Sequence, residues 1–286
     1  MKTSSLCLIA CIAIALNANA QSFKYGSQDE DDDIYEHKTY FMAGINYLSN
    51  NVYLGRKDTI VIPYTSPYIG FHFDNGIYAK GMVSYTSAGT NGGHIDLTTL
   101  EAGYDHSFGE HFNAGLNAER FFYNKNSVSV RANTIACIGA DAQYSNKWIE
   151  PSVIFDINLN KNTTDYVLGT ALDHDFNLVD GKLDIIPTVT TFIGTQNYYD
   201  EYFTNRINKR DKTVKVKHVV ADATKFNVMD YEFSIKSTYR ANHWLFTLIP
   251  TYAIPLSPAI ITLPNKIQRE KLSNSFYLEL DICYRS

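Results

Sequence analysis

Past residue 16 the sequence holds no apolar run approaching the ~20 residues that a membrane-crossing helix needs, which excludes a helical membrane protein. Cysteine is scarce, with four in 286 residues. Cys7 and Cys11 sit near the N-terminus, and only Cys137 and Cys283 follow. Two distant cysteines make no disulfide framework, and two small interior residues are expected. Positive charge is also short: 25 Lys and Arg stand against 30 Asp and Glu, a net −5. That leaves no basic surface for nucleic acid. There is no phosphate loop, dinucleotide fingerprint or paired-cysteine zinc motif, and His72, His94 and His218 stand at no metal-ligand spacing. No cofactor and no metal are expected.

The N-terminus, in contrast, is clearly patterned. Lys2 precedes an apolar run from Leu6 to Leu16, and Ala18-Asn19-Ala20 follows. A charged start, a short hydrophobic core and an A-x-A site are the marks of a secretory signal peptide. Cleavage after Ala20 would remove one lysine and no acid, taking the net charge from −5 to −6. Leu8-Ile9-Ala10-Cys11 is a poorer lipoprotein site, because it leaves an apolar core of only five residues. Residues 21–38 form an acidic tail around Asp29-Glu30-Asp31-Asp32-Asp33, expected in the periplasm. Its Asp29, Asp31, Asp33 spacing hints at a calcium loop, but Ile34 stands where that loop requires glycine.

From residue 39 the chain alternates. In Phe276–Tyr284, Leu278, Leu280, Ile282 and Tyr284 fall on one face and Tyr277, Glu279, Asp281 and Cys283 on the other. Such a strand separates lipid from water. Twelve segments of this type are expected, at 39–49, 65–73, 76–86, 95–108, 111–123, 127–144, 148–159, 164–177, 182–196, 226–240, 243–254 and 274–285. Only every second residue would meet lipid, which fits a mean hydropathy of −0.22. The expected lipid face includes Met229, Tyr231, Phe233 and Ile235 in the tenth segment, and Val128, Val130, Ala132, Thr134, Ala136 and Ile138 in the sixth.

Connections alternate too. Short ones with hairpin residues occur at 74–76, 109–110, 145–147, 179–181 and 241–242, and longer ones at 50–64, 87–94, 197–225 and 255–273; two more on the longer side, 124–126 and 160–163, are short as well, so the rule is kept at one end and relaxed at the other. Short periplasmic turns, longer external loops and an even strand count belong to membrane barrels. Phe41, Phe73, Phe108, Phe112, Tyr144, Phe176, Trp244 and Tyr284 are expected to form an aromatic girdle at the periplasmic interface. A soluble sandwich would account for the alternation but not for the leader, the loop asymmetry and the girdle together.

With these features the chain resembles the outer-membrane β-barrel proteins of Gram-negative bacteria over residues 39–286. The resemblance is to the class, so no functional residue is carried over. It implies an all-β, up-and-down antiparallel transmembrane barrel of twelve strands, or fourteen if 52–62 or 213–220 adds wall. It also implies the outer membrane as location, with membrane lipid, lipopolysaccharide and the barrel-assembly machinery as partners. Members usually end in an aromatic residue; here Tyr284-Arg285-Ser286 places it two positions early.

The inward faces are acidic. Glu101, Asp105, Glu119, Asp141, Glu150, Asp156, Asp165, Asp173, Asp175, Asp184, Asp230, Glu232, Glu279 and Asp281 stand against Lys80, Arg131, Lys236 and Arg285. A wet lumen of that sign favours cations. The candidate lining residues are Glu101, Asp105, Glu119, Arg131, Asp141, Glu150, Asp156, Asp230, Glu232, Lys236, Glu279 and Asp281. The expected function is a passive, weakly cation-selective channel for small polar solutes. The alternative is a structural or adhesive barrel without a through-pore, acting through its external loops. A lipid-modifying hydrolase, as in the outer-membrane phospholipase and lipid A deacylase families, needs a hydroxyl within reach of a histidine. In Asp105-His106-Ser107 and Asp173-His174-Asp175 neighbours point to opposite faces, so no catalytic residue is assigned. The loop 197–225 is basic from Arg206 to Lys225. It is expected as a solvated loop or a wall-extending hairpin, with an inward fold drawn by the acidic lumen as the alternative.

Overall fold

The computed structural model describes residues 39–58, 60–88, 92–210, 220–263 and 266–286. The leader, the acidic tail and residues 211–219 lie outside these residues. Twelve strands form the wall: β1 (Tyr40–Leu48), β2 (Tyr64–His72), β3 (Ile77–Thr86), β4 (His94–Phe108), β5 (Phe112–Tyr123), β6 (Thr134–Tyr144), β7 (Glu150–Asn160), β8 (Thr164–Asp173), β9 (Leu183–Gly194), β10 (Asn227–Ala241), β11 (Trp244–Pro255) and β12 (Ser275–Arg285). Each pairs antiparallel with its sequence neighbours, and β1 with β12 closes the ring. The sequence expectation of twelve strands holds. The fourteen-strand alternative fails, because Val52–Tyr53 pairs only with Arg56–Lys57. Val220–Ala221 likewise joins Ile260–Leu263 and Lys266–Arg269 in a separate three-stranded sheet.

The strands alternate as the sequence requires. In β2, Tyr64, Ser66, Tyr68 and Gly70 are buried, whereas Thr65, Pro67, Ile69 and Phe71 are exposed. Ile45, Ile69, Leu100, Leu116, Leu172, Val189, Ile235 and Leu280 all lie open on the outside, each more than 40% exposed. In water that surface would be an aggregation liability; in hydrocarbon it is the favoured one. Phe73, Phe108, Phe112, Tyr144, Phe176 and Trp244 ring the short-turn end. Phe41 leans on Phe71 and Tyr284 on Trp244. A second ring, not anticipated from sequence, stands at the long-loop end: Tyr47, Tyr85, Phe122, Tyr166, Tyr231, Tyr252 and Phe276. Ten residues separate Phe112 from Phe122 on β5. That is about 33 Å of strand, or roughly 25 Å along the axis at the usual tilt, the height of a membrane barrel's apolar band.

Tight turns close the short end. Gly76 adopts φ 85°, and a Cβ there would strike the carbonyl oxygen of Asp105, so only glycine fits. Both Cys137 and Cys283 are buried and unbridged.

Three segments depart from the sequence expectation. Residues 127–133 turn across the mouth instead of extending β6, and β6 starts at Thr134. Val130 and Thr134, expected on the lipid face, are buried inside at 1% and 2% exposure. Met229 is likewise fully buried, because a bulge opposite Phe192 and Ile193 inserts it as an extra residue and reverses its face. Finally, the expected strand 164–177 breaks after Asp173, and Phe176–Leu178 pairs separately with β9.

Leu280 lies midway between the two aromatic rings. Replacing it with arginine should lower stability by about 2–4 kcal/mol, as at a bilayer midplane. Reversible denaturant unfolding from lipid vesicles measures this, with the inward Thr247→Arg as the milder comparison.

Candidate functional site

The acidic residues converge on one wall. Glu101 on β4 stands opposite Glu119 on β5, which stands opposite Cys137 on β6. Gly115 lies between Asp105 and Asp141 in register. A Cβ at Gly115 would come within 2.6 Å of Asp141 Oδ1 and 2.9 Å of Asp105 Oδ1. A Cβ at Gly139 would come within 2.6 Å of Asp156 Oδ1. The two glycines therefore make the floor over which the carboxylates lie. Lys80 Nζ is 3.9 Å from Glu101 Oε2 and sits over the ring of Tyr68. His72 Nε2 is 3.9 Å from Asp105 Oδ2.

Across the lumen, Asp230, Glu232 and Lys236 share the inward face of β10. The Tyr277 hydroxyl donates to Glu232 at 3.3 Å, Asn46 Nδ2 donates to Glu279 at 2.7 Å, and the Tyr68 hydroxyl donates to Asp281 at 2.9 Å. Glu150 sits at the short-turn rim, accepting from Gln143 Nε2 at 3.2 Å. Eleven of the twelve candidate residues thus sit on inward strand faces. The exception is Arg131, which belongs to the mouth segment. Arg240, not singled out in the sequence, also points inward and pairs with Asp184.

The long-loop end is filled. One buried cluster joins Tyr53, Leu54, Val130, Tyr198, Tyr199, Val220, Met229 and Ala259. A second joins Leu48, Val52, Ile62, Tyr64, Ala88, Ala253 and Tyr277. Two arginines pin this plug. Arg131 donates to Asn158 Oδ1 at 3.0 Å and lies over the rings of Tyr53 and Phe121. Arg56 is 2% exposed; it donates to Gln196 Oε1 and to the Ser257 carbonyl oxygen, stacks on Tyr199, and pairs with Glu270 at 3.6 Å. Burial alone would push the Arg56 guanidinium toward deprotonation, but Tyr198, Glu270 and Tyr199 outweigh it and hold the charge.

Residues 197–210, expected as solvated loop or hairpin, form helix α1 (Asn197–Arg210) lying on the mouth. Asp165 of β8 caps it: Oδ1 accepts from the Asn197 amide at 2.6 Å and Oδ2 from the Tyr198 amide at 2.7 Å. The loop does fold inward, but the described contacts are aromatic and acidic. Tyr198 and Tyr199 enter the core, the Tyr202 hydroxyl donates to Asp58 at 2.5 Å, and Glu201 accepts from Thr163 at 2.7 Å. The side chains of the basic half, 205–219, lie outside the described residues. Loop 255–273 also packs over the mouth through Ala259 and Ile261. The missed helix had a signal in Tyr198, Tyr199, Tyr202 and Phe203, at helical spacing with Asp200 and Glu201 in the first turn.

Level with Tyr85 of the second ring, a bulge leaves Asp96 without a cross-strand partner residue and turns it inward. It accepts from the Tyr64 hydroxyl at 2.5 Å and the Ser127 hydroxyl at 2.8 Å, and faces His94 Nε2 at 3.2 Å. His94 Nδ1 faces the Gly92 carbonyl at 2.9 Å. Among the described residues, no group of three or more His, Cys, Asp or Glu could hold a metal ion.

Its build is that of an outer-membrane β-barrel. No family model and no curated protein matches the chain. Solved structures similar in build include the KdgM porin, at 8% identity and TM-score 0.47, covering 86% of this chain and 98% of that one. LpxR from Salmonella typhimurium is similar at 10% identity and TM-score 0.43, covering 85% and 99%. A bacterial polysaccharide outer membrane secretin is similar at 9% identity and TM-score 0.40, covering 88% and 99%. The strand count and closure of this barrel come from its own pairings.

One outcome follows for the mouth. Asp165→Ala should cost the helix cap about 0.5–2 kcal/mol, seen as faster amide exchange in 197–204 with the wall unchanged.

Proposed function

We propose that this protein is a passive, weakly cation-selective channel for small polar solutes in the outer membrane, closed at its external mouth by the plug. The leader 1–20 would export it, with cleavage after Ala20 and residues 21–38 left as a periplasmic tail. Barrel-assembly machinery, membrane lipid and lipopolysaccharide are the partners this location implies. The observation that carries the reading is the glycine-floored wall of Glu101, Asp105, Glu119, Asp141 and Asp156, a concentration of carboxyl groups that stays ionised only in a hydrated interior. Glu232, Lys236, Glu279 and Asp281 complete the lining on the opposite side. Fixed negative charge in a narrow wet path admits cations and repels small anions.

A second reading, a structural or adhesive barrel with no through-path, is favoured by the plug itself. Its clusters and buried arginines fill the mouth, and its outer surface offers Ile60, Val61 and Ile267 to a contact. Hydrolysis has less support. The Ser127 hydroxyl donates to Asp96 and not to His94, and His106 stacks on the outside between Tyr104 and Phe108.

Planar-bilayer recording of the mature protein separates the two. The channel reading expects rare cation-biased openings, with the reversal potential in a KCl gradient moving toward zero in Glu101→Gln/Glu119→Gln. Removing the Arg56 guanidinium leaves Gln196, Ser257 and Glu270 without their common donor. Arg56→Ala should therefore raise the open fraction several-fold. A silent membrane with both proteins would establish the closed-barrel reading in its place.

A further inference from the structure

Among outward positions of the twelve wall strands, Arg120 on β5 is the one Lys, Arg, Asp or Glu. Its neighbours on that face are Leu116, Ala118 and Phe122, and it pairs in register with Leu100 and Ala136. A charge among such residues is retained only if it reaches polar surroundings. The guanidinium rises toward the long-loop end, lying 5.4 Å from the Phe122 ring centroid in the upper aromatic ring. Nη1 donates to the Ile135 carbonyl at 3.1 Å. Ile135 is the extra residue of the β6 bulge, skipped between Thr134 and Ala136 in the pairing with β7. That bond uses one of five N–H donors. Exposed Lys125 sits in the turn directly above β5. Exposed Lys161 sits above β7, its Nζ 3.3 Å from Asn133 Oδ1. No acid occupies an outward position of the twelve wall strands to compete for these cations.

We propose that Arg120, with Lys125 above it, binds the phosphate of an outer-leaflet phosphorylated glycolipid, the lipid portion of lipopolysaccharide. The inference rests on the outer-membrane reading, which puts the long-loop end in the outer leaflet. Arg120 then lies just under the interface, its fork matched to a phosphate's oxygens, and the acyl chains lie along Leu100, Leu116 and Ile138. A purely structural Arg120 would need only its bond to Ile135.

Arg120→Gln separates these roles, since glutamine keeps an N–H for Ile135 and loses the charge. The full mature chain is placed in lipid nanodiscs, and insertion is read first as a heat-modifiable barrel. Failure there sinks the outer-membrane reading and the proposal together. Inserted protein is then titrated with bisphosphorylated lipid A, its dephosphorylated form and phosphatidylglycerol, and bound lipid is counted by native mass spectrometry. The expected result is retention of the bisphosphorylated form, falling about tenfold in Arg120→Gln/Lys125→Gln and absent for the dephosphorylated lipid. Equal retention by the variant overturns the site. Equal retention of phosphatidylglycerol overturns the glycolipid as its ligand.

Discussion

Hydrocarbon offers no hydrogen-bond partner to a peptide group, so every N–H and C=O of the wall must bond to an adjacent strand. That single constraint organises the rest of the molecule. It is met only if the sheet has no edge, and the β1–β12 and β8–β9 pairings remove the edges. Closure then forces a period of two, because each residue faces either lipid or lumen. The apolar set, Ile69, Leu116, Leu280 and their like, takes one side. The other side is left to residues that lipid would reject, which is how so many carboxylates come to share a narrow interior.

The same constraint explains what was legible in the sequence. Wall strands declare themselves by alternation and the short turns by their residues, so strand number, closure and the inward facing of eleven of the twelve candidate residues followed from pattern alone. Bulges break the reading because an extra residue leaves no compositional mark. Asp96, Ile135 and Met229 are three such residues, all toward the long-loop end, and beyond each the parity is reversed. The plug was illegible for another reason. Arg56 finds its partners at Gln196 and Ser257, 140 and 201 residues away, and no local pattern announces such a meeting. In 197–225 the basic run dominates the composition, whereas among the described residues it is the aromatic turn before it that forms the contact.

Acids facing one another oppose folding. Two charges about 5 Å apart repel by roughly 3 kcal/mol at an effective dielectric of 20, and by under 1 kcal/mol in bulk water. Glu101 opposite Glu119, and Asp105 near Asp141 across Gly115, would therefore be costly in a dry barrel. Lys80 offsets only part of this, being 3.9 Å from Glu101 and partly exposed. The magnitudes favour a hydrated chamber beneath the mouth over a dry one.

Plug and acid wall meet at Arg131. Its guanidinium lies over Tyr53 above and Phe121 below, and Phe121 stands two residues from Glu119 on the same inward face. Asn158, which accepts from Arg131, stands two residues from Asp156. The negative field of the wall therefore acts on the cation that anchors the loop above it. A cation entering from below would screen that field and weaken the hold on Arg131. On the proposed channel reading, loosening of the mouth and occupancy of the chamber would be coupled through the same carboxylates, because the charge beside the path is also the charge beside Arg131.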